Sequence, residues 1–222
     1  MCGILLALLV QPAAASDAKA IGRALESRYR HATTLKAVFF ERYSDGGGGV
    51  AAESGTVYFS RPGRMRWEYE SPERKLFLVD GKNVWFYVPA DRTVSRAKVR
   101  ESSDWRTPLA LLAGKADLAS VCREVRIAGE KGESADTPEP SAGDTVLLCL
   151  PRGSGSVRKI YLEVDSEARL VRVLILEPGN AETEFRFGNW QENIPLSEAM
   201  FHFQPPPGVA VVDESALAGE IR

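Results

Sequence analysis

"SRPGRMRWEYESP", residues 60–72, decides how the rest of the chain reads. Arg61-Pro62-Gly63 opens the run and Ser71-Pro72 closes it, and the residues between these turn signals alternate with a period of two. That alternation puts Met65, Trp67 and Tyr69 on one face of a strand and Arg64, Arg66 and Glu68 on the other. The strand therefore has one large apolar face. Such a face either packs a filled core or walls a hollow, since the same residue types serve both.

Outward from this strand, turn signals recur roughly every eight to twelve residues, the spacing of an antiparallel meander. "TLKAVFFERYS" runs into Asp45 and four glycines, and is followed by "SGTVYFSR", the opening stretch, "RKLFLV", a turn at Asp80-Gly81, "NVWFYV" and "DRTVSRAKV". The segment 129–143, "GEKGESADTPEPSAG", holds no core-forming residue and is expected to be a mobile polar loop. Strands then resume with "DTVLLCLP", "VRKIYLEVD", "ARLVRVLILEPG" and "AETEFRFGNW". The tail "MFHFQPPPGVAVVDE" reads as a short strand followed by an extended proline run.

Helices are scarce. Ile21, Leu25, Tyr29 and Ala32 fall at three- and four-residue spacing and predict one amphipathic helix from Asp17 to about Ala32. A second, short one is expected in "DWRTPLALLAG", with Thr107 as N-cap, Pro108 at the first position and Gly114 after the end. Two strands, "NVWFYV" and "LVRVLILE", are apolar on both faces and ask for cover on both, or for a cavity on one. Two helices cannot blanket about ten flat strands of this kind. A sheet curled around the helices resolves the shortage and leaves an apolar interior.

At 222 residues the chain favours one domain, and 44% hydrophobic content is enough to build a core. A net charge of −2 with dispersed arginines argues against nucleic acid as a partner. Residues 1–15 read as a secretory signal: Ile4 to Val10 is apolar but too short to span a bilayer, and Ala13-Ala14-Ala15 supplies small residues for cleavage. No Lys or Arg precedes the apolar run. The expected domain is 16–222, exported to an oxidising compartment. There Cys122 and Cys149, in two strand-like runs flanking the polar loop, fit a structural disulfide; the alternative is two buried free thiols.

Catalytic signatures are scarce as well. His31 sits near a helix end and His202 between two phenylalanines, without metal-ligand spacing around either. "GSGS" at 153–156 lacks the context of a nucleophile elbow, and "GGGG" at 46–49 has no Lys-Ser/Thr after it. The scattered carboxylates exclude nothing by themselves. The chain is expected not to be an enzyme and to need no cofactor or metal.

These pieces, in this order, resemble the periplasmic outer-membrane lipoprotein carrier family, LolA. The resemblance is carried by the N-terminal helix leading into "LKAVFFERY", then "GTVYFSRPGRMRWEYESP", "LFLVDGKNVWFYVPADRTVSRA", "TPLALLAG" and the closing "FHFQPPPGVAVVDE". It implies an unclosed β-barrel, a half-barrel of one strongly curved antiparallel sheet, covered by the N-terminal helix and short lid helices. It also implies a periplasmic carrier, expected monomeric, that takes lipoproteins by their acyl chains. Its partners would be an inner-membrane ATP-driven release complex and an outer-membrane receptor. A second reading is a lipid- or lipoprotein-sensing module, or another amphiphile-binding module, of the same fold. Arg61 matches the family arginine that latches barrel to lid. The Met65-Trp67-Tyr69 face is expected to look into the acyl cavity, with Leu76 or Phe77, Trp85 or Phe86, Phe185, and Leu109 and Leu112 from the lid. The chain departs from the family at Glu41, where Gln is frequent, and at Ala210, where Asp is common.

Overall fold

The computed structural model describes residues 14–99, 112, 117–130, 136–152 and 157–213. Residues 1–13 of the expected signal 1–15, the short helix expected around Pro108, and Leu109 lie outside them. The first helix, α1, spans Ala14–His31, and the apolar residues that predicted it, Leu25, Tyr29 and Ala32 among them, are buried in the core. Arg28, Arg30 and His31 occupy its last turn, where the helix dipole favours positive charge.

Among the described residues twelve strands form one sheet. In chain order they are β1 (Thr34–Ser44), β2 (Val50–Ser60), β3 (Arg64–Ser71), β4 (Lys75–Val79), β5 (Asn83–Val88), β6 (Thr93–Lys98), β7 (Cys122–Ile127), β8 (Thr145–Pro151), β9 (Lys159–Val164), β10 (Leu170–Leu176), β11 (Glu182–Glu192) and β12 (Ala210–Asp213). The spatial order is β12-β6-β5-β4-β3-β2-β1-β11-β10-β9-β8-β7, so two meanders meet where β1 pairs with β11. The sheet is curled but not closed, since β12 and β7 are its two ends. Among the described residues all ladders are antiparallel except β12 on β6, which is parallel.

The β1–β2 turn shows why four glycines stand together. The Asp45 carboxylate accepts from the backbone N–H groups of Gly47 and Gly49, and Gly46 (φ +75°) presses against the Gly179 carbonyl, 2.1 Å from where a Cβ would stand. No side chain fits that approach. A four-residue helix, α2 (Leu118–Val121), precedes β7 in a stretch whose alternation reads as strand. Asp117 and Ser120 cap it reciprocally, a local hydrogen-bond pattern that overrides the strand propensity of the apolar residues between them.

Two features differ from the sequence expectation. The end of the polar segment is held rather than mobile: Arg172 donates to the Glu139 carbonyl (2.7 Å), and the Ser141 N–H donates to the Glu163 carboxylate (2.7 Å). The tail also does more than extend. After a 3-10 turn at Glu198–Phe201 it crosses the outer face of β3–β5 and then adds β12 to the sheet. Phe201 is fully buried there, and Phe203 lies between Trp85 and Tyr87 at 5.6 and 5.5 Å.

That strap accounts for the two-sided apolar strand "NVWFYV". Phe86 pairs with Phe77 across the β4–β5 ladder and packs on the inner core, while Trp85 and Tyr87 serve the outer face under Phe203. "LVRVLILE" divides likewise. Val173 and Ile175 belong to the inner core, and Leu176 joins Val146, Leu148 and Tyr161 in a second apolar cluster, with Leu174 packed against it.

Candidate functional site

The inner face begins with the alternation that opened the sequence. Met65, Trp67 and Tyr69 are buried on it, and the ladder sets Val79 beside Met65 and Phe77 beside Trp67. On the other flank Val57 pairs with Trp67 and Phe59 with Met65, and β1 contributes Leu35, Ala37 and Phe39. Each belongs to one continuous core cluster, together with Phe185 and Phe187 of β11 and the buried side of α1.

Trp67 is the hub of this face. Its ring lies 4.8 Å from Phe39, 5.5 Å from Phe185, 6.1 Å from Phe187 and 6.2 Å from Phe59, all tilted towards edge-to-face. Such aromatic contacts add about 0.5–1.5 kcal/mol each beyond the area they bury. The Trp67 Nε1–H is buried with no hydrogen-bond partner among the described residues.

The sequence-predicted residues divide clearly. Met65, Trp67, Tyr69, Phe77 and Phe185 come together in the inner cluster, Phe86 packs against its margin, and Leu112 is fully buried in it. Trp85 does not join them, which corrects the expectation for this residue. It lies on the opposite face of β5, with Nε1 donating to Asp80 (3.0 Å) and Arg96 over its ring at 5.6 Å. Strand alternation allows only one of Trp85 and Phe86 inside. Burial would raise the Asp80 carboxyl, but donation from the Asn83 N–H, Trp85 and the Lys82 N–H outweighs it and holds the group below its usual range.

Arg61 stands at the β2–β3 turn, where its backbone N–H donates to the Thr33 carbonyl just beyond α1 (3.0 Å). Burial, and Arg30 nearby, push its guanidinium below the ordinary arginine value. Its Nε is buried without a hydrogen-bond partner among the described residues. A guanidinium carries five donors, and this one sits at the helix–barrel junction.

Sequence reasoning missed a polar group at the other end of the same wall. Tyr69 donates its hydroxyl to Glu41 (2.9 Å), and Lys75 pairs with Glu53. Glu41 is only 8% exposed, a carboxylate on the inner face of an otherwise apolar strand. The readable signal was its parity: Leu35, Ala37, Phe39 and Glu41 share one face of β1.

α1 covers the β7–β11 part of this interior. Its Glu26 carboxylate accepts from the Leu118 N–H (2.7 Å), Arg28 reaches the Glu167 carbonyl (2.9 Å) and pairs with Glu192 (2.5 Å), and the Tyr29 ring lies tilted beside Trp190 (5.5 Å). Cys122 and Cys149 are joined by a disulfide that ties β7 to β8 on the inner side (Cα–Cα 5.4 Å). A separate cleft of about 870 Å³ lies outside the barrel between β3–β5 and residues 202–204. Arg66, Arg74, His202 and Glu68 line it, so it is a charged groove and not an apolar pocket.

Comparison with known proteins places this geometry. The family model described as outer membrane lipoprotein carrier protein LolA matches residues 30–204. A relative from Dechloromonas aromatica is 32% identical over 187 residues, covering 83% of this chain and 84% of its own. One from Nitrosospira multiformis is 29% identical over 196 residues, covering 86% and 87%. Both bear the name outer-membrane lipoprotein carrier protein. Among solved structures, an uncharacterized conserved protein from Thermus thermophilus superposes with a TM-score of 0.53 at 16% identity, over 89% of this chain and 99% of that one. It shares the fold.

Proposed function

The chain belongs to the outer membrane lipoprotein carrier family LolA, and from that premise we propose that it holds the acyl chains of lipoproteins against its aromatic inner face and carries them across the periplasm. The donor would be an inner-membrane ATP-driven release complex and the acceptor an outer-membrane receptor. The observation that carries this reading is the wall built by Met65, Trp67, Phe77, Phe86 and Phe185 on one side of an unclosed sheet roofed by a helix. Among the described residues no helix is long and apolar enough to cross a membrane, which suits a carrier that moves between two of them.

The physical task sets the design. Each acyl CH₂ left in water costs about 0.8 kcal/mol, so a carrier must offer apolar contact comparable to the bilayer it replaces. It must also let go. Trp67, Phe77 and Phe185 have almost no exposed surface, so cargo enters this acyl space only when the cover over the wall lifts. Arg61 is the latch in this scheme: its donors hold the cover in the empty state and free it when cargo takes its place.

The test uses a triacylated lipopeptide with brominated acyl chains. Bound cargo should stay in the supernatant after membranes are sedimented, and should quench Trp67 but not Trp85, each read in a variant that keeps it as the sole tryptophan of the chain's four. Quenching of Trp85 alone, or a lipopeptide that sediments regardless of the protein, would count against the proposal.

A further inference from the structure

We infer that the Glu41–Tyr69 and Glu53–Lys75 pairs form a polar end stop to the acyl space and so set the chain length this carrier accepts; the inference rests on the acyl-carrier reading above.

Four neighbouring strands change chemistry at the same end of the wall. Along β1 the inner residues run Leu35, Ala37, Phe39 and then Glu41, and along β2, read in the same direction, Phe59, Val57, Gly55 and then Glu53. On β3 Met65 and Trp67 give way to Tyr69, and on β4 Val79 and Phe77 give way to Lys75. Register holds the four polar groups at two successive inner levels: Tyr69 and its ladder partner Lys75 lie opposite Gly55, and Glu41 and its ladder partner Glu53 come next along the wall. Hydrogen bonding and ion pairing join them in two couples across the strands.

An alkyl chain lying along this wall meets apolar surface from Met65 to Tyr69, about 13 Å at about 3.3 Å per residue. Beyond that level its next methylenes would have to lie against the buried Glu41–Tyr69 pair and the partly exposed Glu53–Lys75 ion pair. Those groups cannot regain water while a chain covers them, so each further methylene adds no affinity there. A core built only for stability has no use for a carboxylate on the inner face of β1, where a leucine would bury more apolar area. The pairs bound the apolar wall at a fixed depth.

The experiment measures binding of a series of saturated 1-acyl lysophosphatidylcholines, from ten to eighteen carbons, to the purified full chain by tryptophan fluorescence. Below the limit the parent's affinity should rise about fourfold per methylene, then break to a plateau. In the double variant E41L/Y69F, which removes both members of the first pair, the break should move at least two carbons longer. The variant E53Q/K75M, which discharges the second pair, should move it in the same direction and provides the reading if the first variant does not fold. E41Q, which keeps a polar group beside Tyr69, should leave the break where it is. A parent with no break up to eighteen carbons, or folded variants whose break stays in place, would overturn the end stop while leaving the carrier reading intact. A folded parent that binds no length at all would overturn the carrier reading, and this inference with it.

Discussion

The Leu170 backbone N–H donates to the Tyr29 hydroxyl over 2.9 Å, a buried hydrogen bond that fastens α1 to the start of β10. It is one of the points where the roof of the barrel is bonded to its wall. Trp190 completes the junction by donating to the Leu170 carbonyl (2.9 Å) while its ring lies beside Tyr29.

Tyr29→Phe leaves the Leu170 N–H buried and unpaired, and should cost about 1–3 kcal/mol at neutral pH in urea unfolding followed by circular dichroism. The pH profile carries a second signature. Burial raises the Tyr29 phenol well above its ordinary value, against the opposing pull of the Leu170 hydrogen bond and Arg28. The folded state therefore keeps this proton at a pH where the unfolded chain has lost it. The stability involved is fully present below about pH 10 and is lost as pH rises further. The phenylalanine variant should lack that component of the alkaline decline.

On the outer face Arg172 pairs with Glu163 (2.5 Å), whose side chain is 1% exposed. Arg172→Met should destabilise by about 3–5 kcal/mol, because it strands a buried carboxylate, whereas R172M/E163L should cost distinctly less. Chemical denaturation of both variants checks the ordering. Burial alone would raise the Glu163 carboxyl, but Ser141 and Arg172 hold it below the ordinary range. Its stabilising contribution is therefore present above about pH 4.3 and is lost as pH falls below that.

The disulfide closes a loop between positions 27 apart in sequence. Loop-closure entropy gives it a worth of about 3–4 kcal/mol. The double variant C122A/C149A should show a loss of that order, and a reductant should lower the melting temperature of the parent but not of the variant.

Arg61→Leu removes a half-buried cation near Arg30 and should not lower stability, which thermal melting can verify. Release of a fluorescent acyl lipopeptide to acceptor vesicles should slow by at least about fivefold, the low end of typical coupling between two sites. Release at the parental rate would remove the latch role from Arg61.

Much of the wall was legible one strand at a time. The 3.6-residue pattern of Leu25 and Tyr29 marked α1, and the period of two in Met65, Trp67 and Tyr69 assigned them a common face. Shortage of helices for so many strands pointed to a curled sheet. Trp85 was illegible because both faces of β5 are apolar: alternation separates it from Phe86 but does not say which of them is inside. The held end of the polar loop was hidden for a similar reason, because its partners, Glu163 and Arg172, lie more than 20 residues ahead.

The chain itself determined the alternating faces, the turn chemistry and the scarcity of helices, because each depends on neighbours within a few residues. Tertiary structure alone decided that Glu41 meets Tyr69, that Phe203 covers Trp85, and that Arg61 sits at the end of α1. Those meetings are fixed by strand register and by the path of the tail over the outer face. Local propensity carries no information about either.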